Sequence, residues 1–283
     1  MDRPQKPSMT AERLTVARAL RGTGLEPVDA RLLLQHVLGL EHAGLIAHGD
    51  RVLSAAEAER YLGLVDRRRS GEPIAYLVGW REFYGRRFGV ERSVLIPRPE
   101  TEMLVELALE RIPVRSPATV LDLGTGSGNI AITIACECSE AVIVATDTCA
   151  AALQCAQANS RRMGADRIEF LQGDWFAPVA GRRFGLIVSN PPYVAVDDAH
   201  LRAGDLRFEP RTALAAGIDG LTCIRTIVGA AQSHLLPGGW LLFEHGHDQG
   251  PACGALLEDA GFADVLLAKD LAGLPRVSAG RKR

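Results

Sequence analysis

Aromatic side chains are scarce, at 5% of a 283-residue chain, yet Trp80, Phe83, Tyr84 and Phe88 fall close together. Other features are missing outright. No uncharged apolar run reaches the roughly eighteen residues needed to cross a bilayer, so no membrane-spanning segment is expected. The first residues, Met1-Asp2-Arg3-Pro4-Gln5-Lys6-Pro7, lack the apolar stretch of an export signal, and a cytoplasmic location is expected. Neither sign of charge dominates: the net charge is -2, which gives no bulk attraction to nucleic acid or anionic lipid. The six cysteines are scattered and form no metal-binding knuckle, so free thiols and no metal are expected. Cys136 and Cys138 lie two apart on an expected helix and point to different faces. What is present is 47% apolar residues in a chain long enough for a sizeable core and two domains.

Residues 10–69 show helical periodicity, with Leu14, Ala17 and Leu20, then Leu32, Leu33, Val37 and Leu38, recurring at helical spacing. Ser54-Ala55-Ala56-Glu57 has the form of a capping box. Arg67-Arg68-Arg69 reads as a solvated helix end that complements the dipole. His36, His42 and His48 form no ligand pattern. Gly71-Glu72-Pro73 breaks the helix, and residues 83–90 and 94–97 read as two short strands in a linking hairpin. The aromatic cluster lies here and reads mainly as core. An acidic first turn then opens a helix over 103–111.

The stretch with most chemical content is Asn190-Pro191-Pro192-Tyr193. It follows residues 184–189, an apolar run with the length of a buried strand. Proline cannot continue a ladder, and it pushes the residue before it out of the helical region. The result is a stiff extended turn at the carboxyl end of a parallel strand, where open α/β sheets bind ligands. The Asn190 side-chain oxygen and the Pro191 carbonyl can each accept one N–H of a planar –NH2 group, and Tyr193 offers a flat face.

Upstream, a strand over 119–123 leads into Gly124-Thr125-Gly126-Ser127-Gly128 and then a helix over 129–137. Such a turn lets backbone approach a ligand closely. Its third glycine comes four residues after the first, one sooner than in the dinucleotide fingerprint. A strand over 141–147 ends in Asp147, which can accept both ribose hydroxyls. A third strand, 167–172, leads to Gly173-Asp174-Trp175, an acid and an aromatic suited to adenine. Acidic Asp122, before the glycines, disfavours phosphate and suits a charged amino-acid moiety. Together these describe a site for S-adenosylmethionine.

With those residues in view, the chain resembles the peptide chain release factor glutamine methyltransferases, a family of protein-(glutamine) N-methyltransferases. The resemblance spans about residues 71–276. It is carried by Gly71-Glu72-Pro73-Ile74-Ala75-Tyr76, Arg81-Glu82-Phe83-Tyr84, and Leu95-Ile96-Pro97-Arg98-Pro99-Glu100-Thr101-Glu102. Further along it rests on Asp122 to Gly128, Gly173-Asp174-Trp175, Ser189 to Tyr193, Arg207-Phe208-Glu209-Pro210-Arg211 and Phe243-Glu244-His245-Gly246. One departure is Thr148-Cys149-Ala150 after Asp147, where members often have Ser-Pro.

The resemblance implies an α/β chain with the class I S-adenosylmethionine-dependent methyltransferase fold. That means a seven-stranded, mostly parallel sheet, a small N-terminal helical domain and a linking β-hairpin. The expected division is a release-factor-binding domain at 1–75, a linker at 76–100 and the methyltransferase domain at 101–283. The implied cofactor is S-adenosyl-L-methionine, bound by Gly124, Thr125, Gly126, Ser127, Gly128, Asp147, Asp174, Trp175 and Asn190. Asn190, Pro191, Pro192 and Tyr193 are the implied substrate-binding residues, with Asn190 and Pro191 catalytic. The implied substrate is the glutamine of the Gly-Gly-Gln loop in class-one release factors, methylated by a monomeric enzyme with no direct DNA contact. A ribosomal-protein glutamine, a DNA amino group, or cofactor binding without catalysis are the alternatives.

No general base stands in the motif. Glu209 and Arg211 either close over the site or form a plain salt-linked loop, and His245 and His247 read as packing or surface residues. The remaining chain reads as a helix over 220–236, a strand over 239–244, a helix over 250–260, and two final strands, 262–268 and 275–280. A frayed tail is expected at Arg281-Lys282-Arg283.

Overall fold

A computed structural model describes residues 14–112 and 118–283, so the expectations for residues 1–13 lie outside the described residues. The chain divides into two compact units, Met1–Val78 and Gly79–Arg283.

The first unit is helical: α1 Val16–Arg21, α2 Pro27–Leu38, α3 His42–Ala47, α4 Ala55–Arg69 and α5 Ile74–Val78. Its core holds Leu33, Leu34, Tyr61 and Val65, all at most 1% exposed. The Tyr61 hydroxyl donates to the Ala19 carbonyl at 3.0 Å, so its one polar atom is satisfied inside the core. Both halves of the capping box form at α4: Glu57 N–H donates to Ser54 Oγ, and Ser54 N–H donates to a Glu57 carboxylate oxygen. The arginine run lies in the last turn of α4 with Arg67 and Arg69 half-exposed, as a solvated end requires, and each arginine also finds a partner. Arg67 grips Glu72 through two 2.8 Å bonds, Arg68 pairs with Asp29 at 2.7 Å, and Arg69 donates to the Thr23 carbonyl. Periodicity places these side chains on a helix end but does not show the acids that the fold brings to them.

The second unit opens with a hairpin, β1 Trp80–Phe83 and β2 Arg86–Gly89. Both strands sit earlier than expected, and residues 94–97 form no strand. The cause is Tyr84-Gly85: both have positive φ, 51° and 67°, which makes a two-residue turn between the paired residues Phe83 and Arg86. The unit continues with α6 Thr101–Glu110, β3 Thr119–Leu123, α7 Asn129–Glu137, β4 Val142–Asp147, α8 Ala150–Arg162 and β5 Glu169–Gln172. It ends with β6 Phe184–Ser189, α9 Thr222–His234, β7 Leu235–Glu244, α10 Gly250–Asp259, β8 Ala263–Lys269 and β9 Pro275–Arg281.

The seven strands β3 to β9 form one sheet in the order β5-β4-β3-β6-β7-β9-β8. Strands β3 to β7 run parallel, and β9 lies antiparallel between β7 and β8. The inner strands β3 and β6 are buried along almost their whole length, as their near-continuous apolar sequences require. Strand order reverses between β3 and β6, which opens a crevice at their carboxyl ends. The C-terminal residues are not frayed. Arg281 pairs with Asp264 at 2.6 Å, and the Lys282 ammonium donates to the carbonyls of Gln232 and Leu235. None of the described helices is long and apolar enough to cross a membrane.

Candidate active site

The turn after β3 is made possible by glycine. Gly124, Gly126 and Gly128 have φ of 71°, 56° and 80°, the left-handed region that side chains disfavour. Gly124 N–H and Thr125 N–H both donate to the Thr146 carbonyl, which ties the turn to the end of β4. Gly128 begins α7, and a Cβ there would lie 2.7 Å from Ile132 and 3.1 Å from Ala156, so glycine also permits close packing of α7 on α8. At the end of β4, the Asp147 carboxylate accepts Gly126 N–H at one oxygen and Cys149 N–H at the other, both at 2.9 Å. The carboxylate is thereby held in one orientation, and each oxygen keeps a lone pair for a ligand. Trp175 follows β5 with a φ of 42°, its carbonyl accepting the Thr146 hydroxyl, and its ring reaches toward Gly124.

At the end of β6 the buried Ser189 hydroxyl donates to the Leu123 carbonyl at 2.8 Å, locking β6 to β3 at the crevice. Asn190 comes next. Its side-chain N–H donates to Thr101 Oγ1 at 3.0 Å, and the Thr101 hydroxyl donates to Glu244 Oε2 at 2.6 Å. The Tyr193 hydroxyl donates to the other Glu244 oxygen at 3.0 Å. Burial pushes the Glu244 carboxyl above its ordinary pKa, and the hydroxyls of Thr101 and Tyr193 pull it back. Burial and the facing Glu244 raise Tyr193.

A cavity of about 320 Å³ joins these two ends. Gly124, Thr125, Gly126, Ser127, Asp147, Asp174 and Trp175 line it on one side, and Asn190, Pro192, Thr101 and Arg98 on the other. Gly128, Pro191 and Tyr193 are not among its lining residues. Asp122, expected to face a cofactor's amino-acid end, is instead fully buried and takes the Thr125 hydroxyl at 2.7 Å. The buried Glu209 carboxylate accepts Ile96 N–H at 2.9 Å and an Arg98 guanidinium N–H, so this loop is fastened to the segment that carries Arg98. Arg211 reaches only the Val196 carbonyl, at 3.4 Å. His245 is buried, its ring within hydrogen-bond distance of the Gly246 carbonyl and Ser278 Oγ, and burial lowers its pKa. It is a packed core residue.

Thr101 and Cys223 also line the cavity and were not legible as site residues. Thr101 reads in sequence only as part of a helix start. Glu244 carried a signal that could have been used: an acid ending the apolar strand β7, at the same sheet edge as Asp147 and Asn190.

Two family models match the chain, the PrmC N-terminal domain over residues 14–79 and the methyltransferase small domain over 101–208. Among solved structures, a methyltransferase from Pyrococcus furiosus superposes with a TM-score of 0.53 at 18% identity, covering 77% of this chain and 96% of that one. A 16S rRNA methyltransferase from T. thermophilus, solved with AdoMet and guanosine, gives a TM-score of 0.51 at 22% identity over 72% of this chain and 51% of its own. These establish the class I methyltransferase fold. Sequence relatives are much nearer. The release factor glutamine methyltransferase of Burkholderia pseudomallei is 50% identical over 94% of this chain and 96% of its own length. Those of Xylella fastidiosa and Bordetella pertussis are each 49% identical, over 91% and 92% of this chain. On that identity and coverage the chain belongs to the release factor glutamine methyltransferase family.

Proposed function

We propose that this protein methylates the side-chain amide nitrogen of the glutamine in the Gly-Gly-Gln loop of class-one peptide chain release factors, acting as a cytoplasmic monomer without direct DNA contact. As a member of its family it is an S-adenosylmethionine-dependent protein-glutamine N-methyltransferase. The observation that carries the finer reading is the single cavity reaching from Asp147 and Trp175 to Asn190. A donor and an acceptor have to share one enclosed space for direct transfer, and this cavity offers a nucleoside-type end and an amide-type end.

The cofactor end fits its ligand. A Cβ at Gly126 would meet nothing within 4 Å, so the missing side chain leaves open space at a residue that lines the cavity. Asp147, held by two backbone N–H groups, has the acceptor pair that a ribose diol needs. In this reading Gly124, Thr125, Gly126, Ser127 and Gly128 take the methionine portion, Asp147 the ribose, and Asp174 and Trp175 the adenine. When bound, the cofactor supplies an electrophilic methyl group on a sulfonium.

The protein's own task lies at the other end. An amide nitrogen is a poor nucleophile because its lone pair is delocalised into the carbonyl. Asn190 Oδ1 and the Pro191 carbonyl, each accepting one N–H, hold the nitrogen and offset the positive charge that develops on it. Fixing the nitrogen at reaction distance adds an orientation contribution. Pro192 and Tyr193 complete the substrate turn. The proton leaves to water after transfer, since the motif contains no base. The unit before residue 79 holds the release factor away from its glutamine loop.

The test is transfer of labelled methyl to a purified release factor, beside a factor whose loop glutamine is replaced by alanine and an Asn190→Ala enzyme. Label should enter only the unaltered factor, and only with Asn190 intact. Label entering the alanine factor equally would move the target elsewhere. No label on either, with the cofactor still bound, would point to a ribosomal-protein glutamine.

A further inference from the structure

An asparagine side chain presents two unlike edges, an oxygen that accepts and an –NH2 that donates. The role proposed for Asn190 works with only one of them facing the substrate. If the –NH2 edge faced a glutamine –NH2, donor would meet donor and nothing would hold the nitrogen. Something must choose the edge, and the choice is made by Thr101 at the cavity wall and Glu244 behind it.

Thr101 Oγ1 carries one proton and sits between two groups, 2.6 Å from Glu244 Oε2 and 3.0 Å from Asn190 Nδ2. Glu244 is 1% exposed, Thr101 is 1% exposed, and the second Glu244 oxygen is already taken by the Tyr193 hydroxyl. Thr101 Oγ1 accepts the Asn190 Nδ2–H, so its single proton goes to Glu244 Oε2 and a lone pair faces Asn190. That lone pair can pair with the –NH2 edge alone, which leaves Oδ1 uncommitted to Thr101. We infer that Glu244 and Thr101 are positioning residues for the methyl transfer: they fix the Asn190 amide with its oxygen available to the substrate, and through Tyr193 they hold the far end of the same turn. This rests on the proposed role of Asn190. It adds a function for a buried acid that does not line the cavity.

The link runs between residues far apart in the chain, so it can be cut without altering the motif. Thr101→Val keeps the shape and removes the hydroxyl, and Thr101→Ser restores it. The Val variant should lose roughly 10–100-fold in kcat for methyl transfer while its cofactor Kd stays within about twofold. The Ser variant should recover most of that loss, which a packing role would not produce. Glu244→Gln, which can no longer accept from both hydroxyls, should lose kcat severalfold with the same unchanged cofactor Kd. Wild-type kcat in Thr101→Val or Glu244→Gln, with Asn190→Ala inactive, overturns the inference and leaves the proposed function standing. Failure of Ser to recover activity lost in Val also overturns it. Full activity in Asn190→Ala overturns both. If the Val variant does not fold, the Glu244→Gln kinetics decide alone.

Discussion

Asp122 has no exposure to solvent and takes one hydroxyl bond, from Thr125. Burial pushes its pKa up to about 7, against an ordinary value near 3.8, and the Thr125 bond only partly opposes this. Between those two pH values the folded chain keeps a proton that the unfolded chain has shed. The folded state then binds more protons, so stability falls as pH rises from about 4 to about 7 and is flat above that. A gap of about 3 units corresponds to roughly 4 kcal/mol at most. Asp122→Asn retains an acceptor for Thr125 but cannot titrate. Urea unfolding across pH 4.5 to 7.5 should show the variant gaining stability relative to the wild type by a few kcal/mol as pH rises. A constant difference across that range would mean that Asp122 is already ionised at the acid end.

At the scale of elements, the site depends on short segments braced against one another. The Asn-Pro-Pro-Tyr turn leans on the loop before α9: the Gln249 side chain donates to the Tyr193 carbonyl at 3.0 Å and reaches the Asp219 carbonyl at 3.3 Å. Gly220 packs against the same carbonyl, with φ 73°, and a Cβ there would lie 2.2 Å from Tyr193 O. The obstacle is backbone, so it cannot swing aside as a side chain would. Gly220→Ala should displace the turn as well as incur about 1–2 kcal/mol of left-handed strain. Methyl transfer should fall at least tenfold while cofactor binding changes little, as read by kcat and by calorimetric Kd. Equal losses in both would place the damage in the whole crevice and not in this turn. Such braces are what a sequence conceals. Strands β3 and β6 were legible to the residue because apolar runs bounded by glycine or proline can be little else. The hairpin was shifted because Tyr84 adopts positive φ, which tyrosine seldom does. The Thr101–Glu244 bond joins residues 143 positions apart, and no local pattern encodes that distance. Lys282 likewise looked like a loose end until the carbonyls of Gln232 and Leu235 were seen around it.

At the scale of the whole molecule, two units each enclose their own apolar core. The first buries Leu33, Leu34, Tyr61 and Val65, and the second is built on the sheet strands and helices α6 to α10. Every described residue that lines the site cavity belongs to the second unit, from Ser93 to Cys223. Among the described residues, none of 14–78 lines the cofactor end. A net charge of -2 supplies no general attraction that could substitute for a dedicated partner-binding surface. If the first unit grips the release factor, removing it should separate two properties that the intact chain combines. A chain of residues 79–283 should bind S-adenosylmethionine with the Kd of the intact protein, measured by calorimetry. Its methyl transfer to a whole release factor should require a far higher factor concentration, with KM raised at least tenfold. Its transfer to a short Gly-Gly-Gln peptide, which lacks the rest of the factor, should match that of the full chain, because the peptide cannot use the first unit in either enzyme. Unchanged KM for the whole factor would remove the partner-binding role from residues 1–78. Loss of cofactor binding would show instead that the second unit depends on the first to fold.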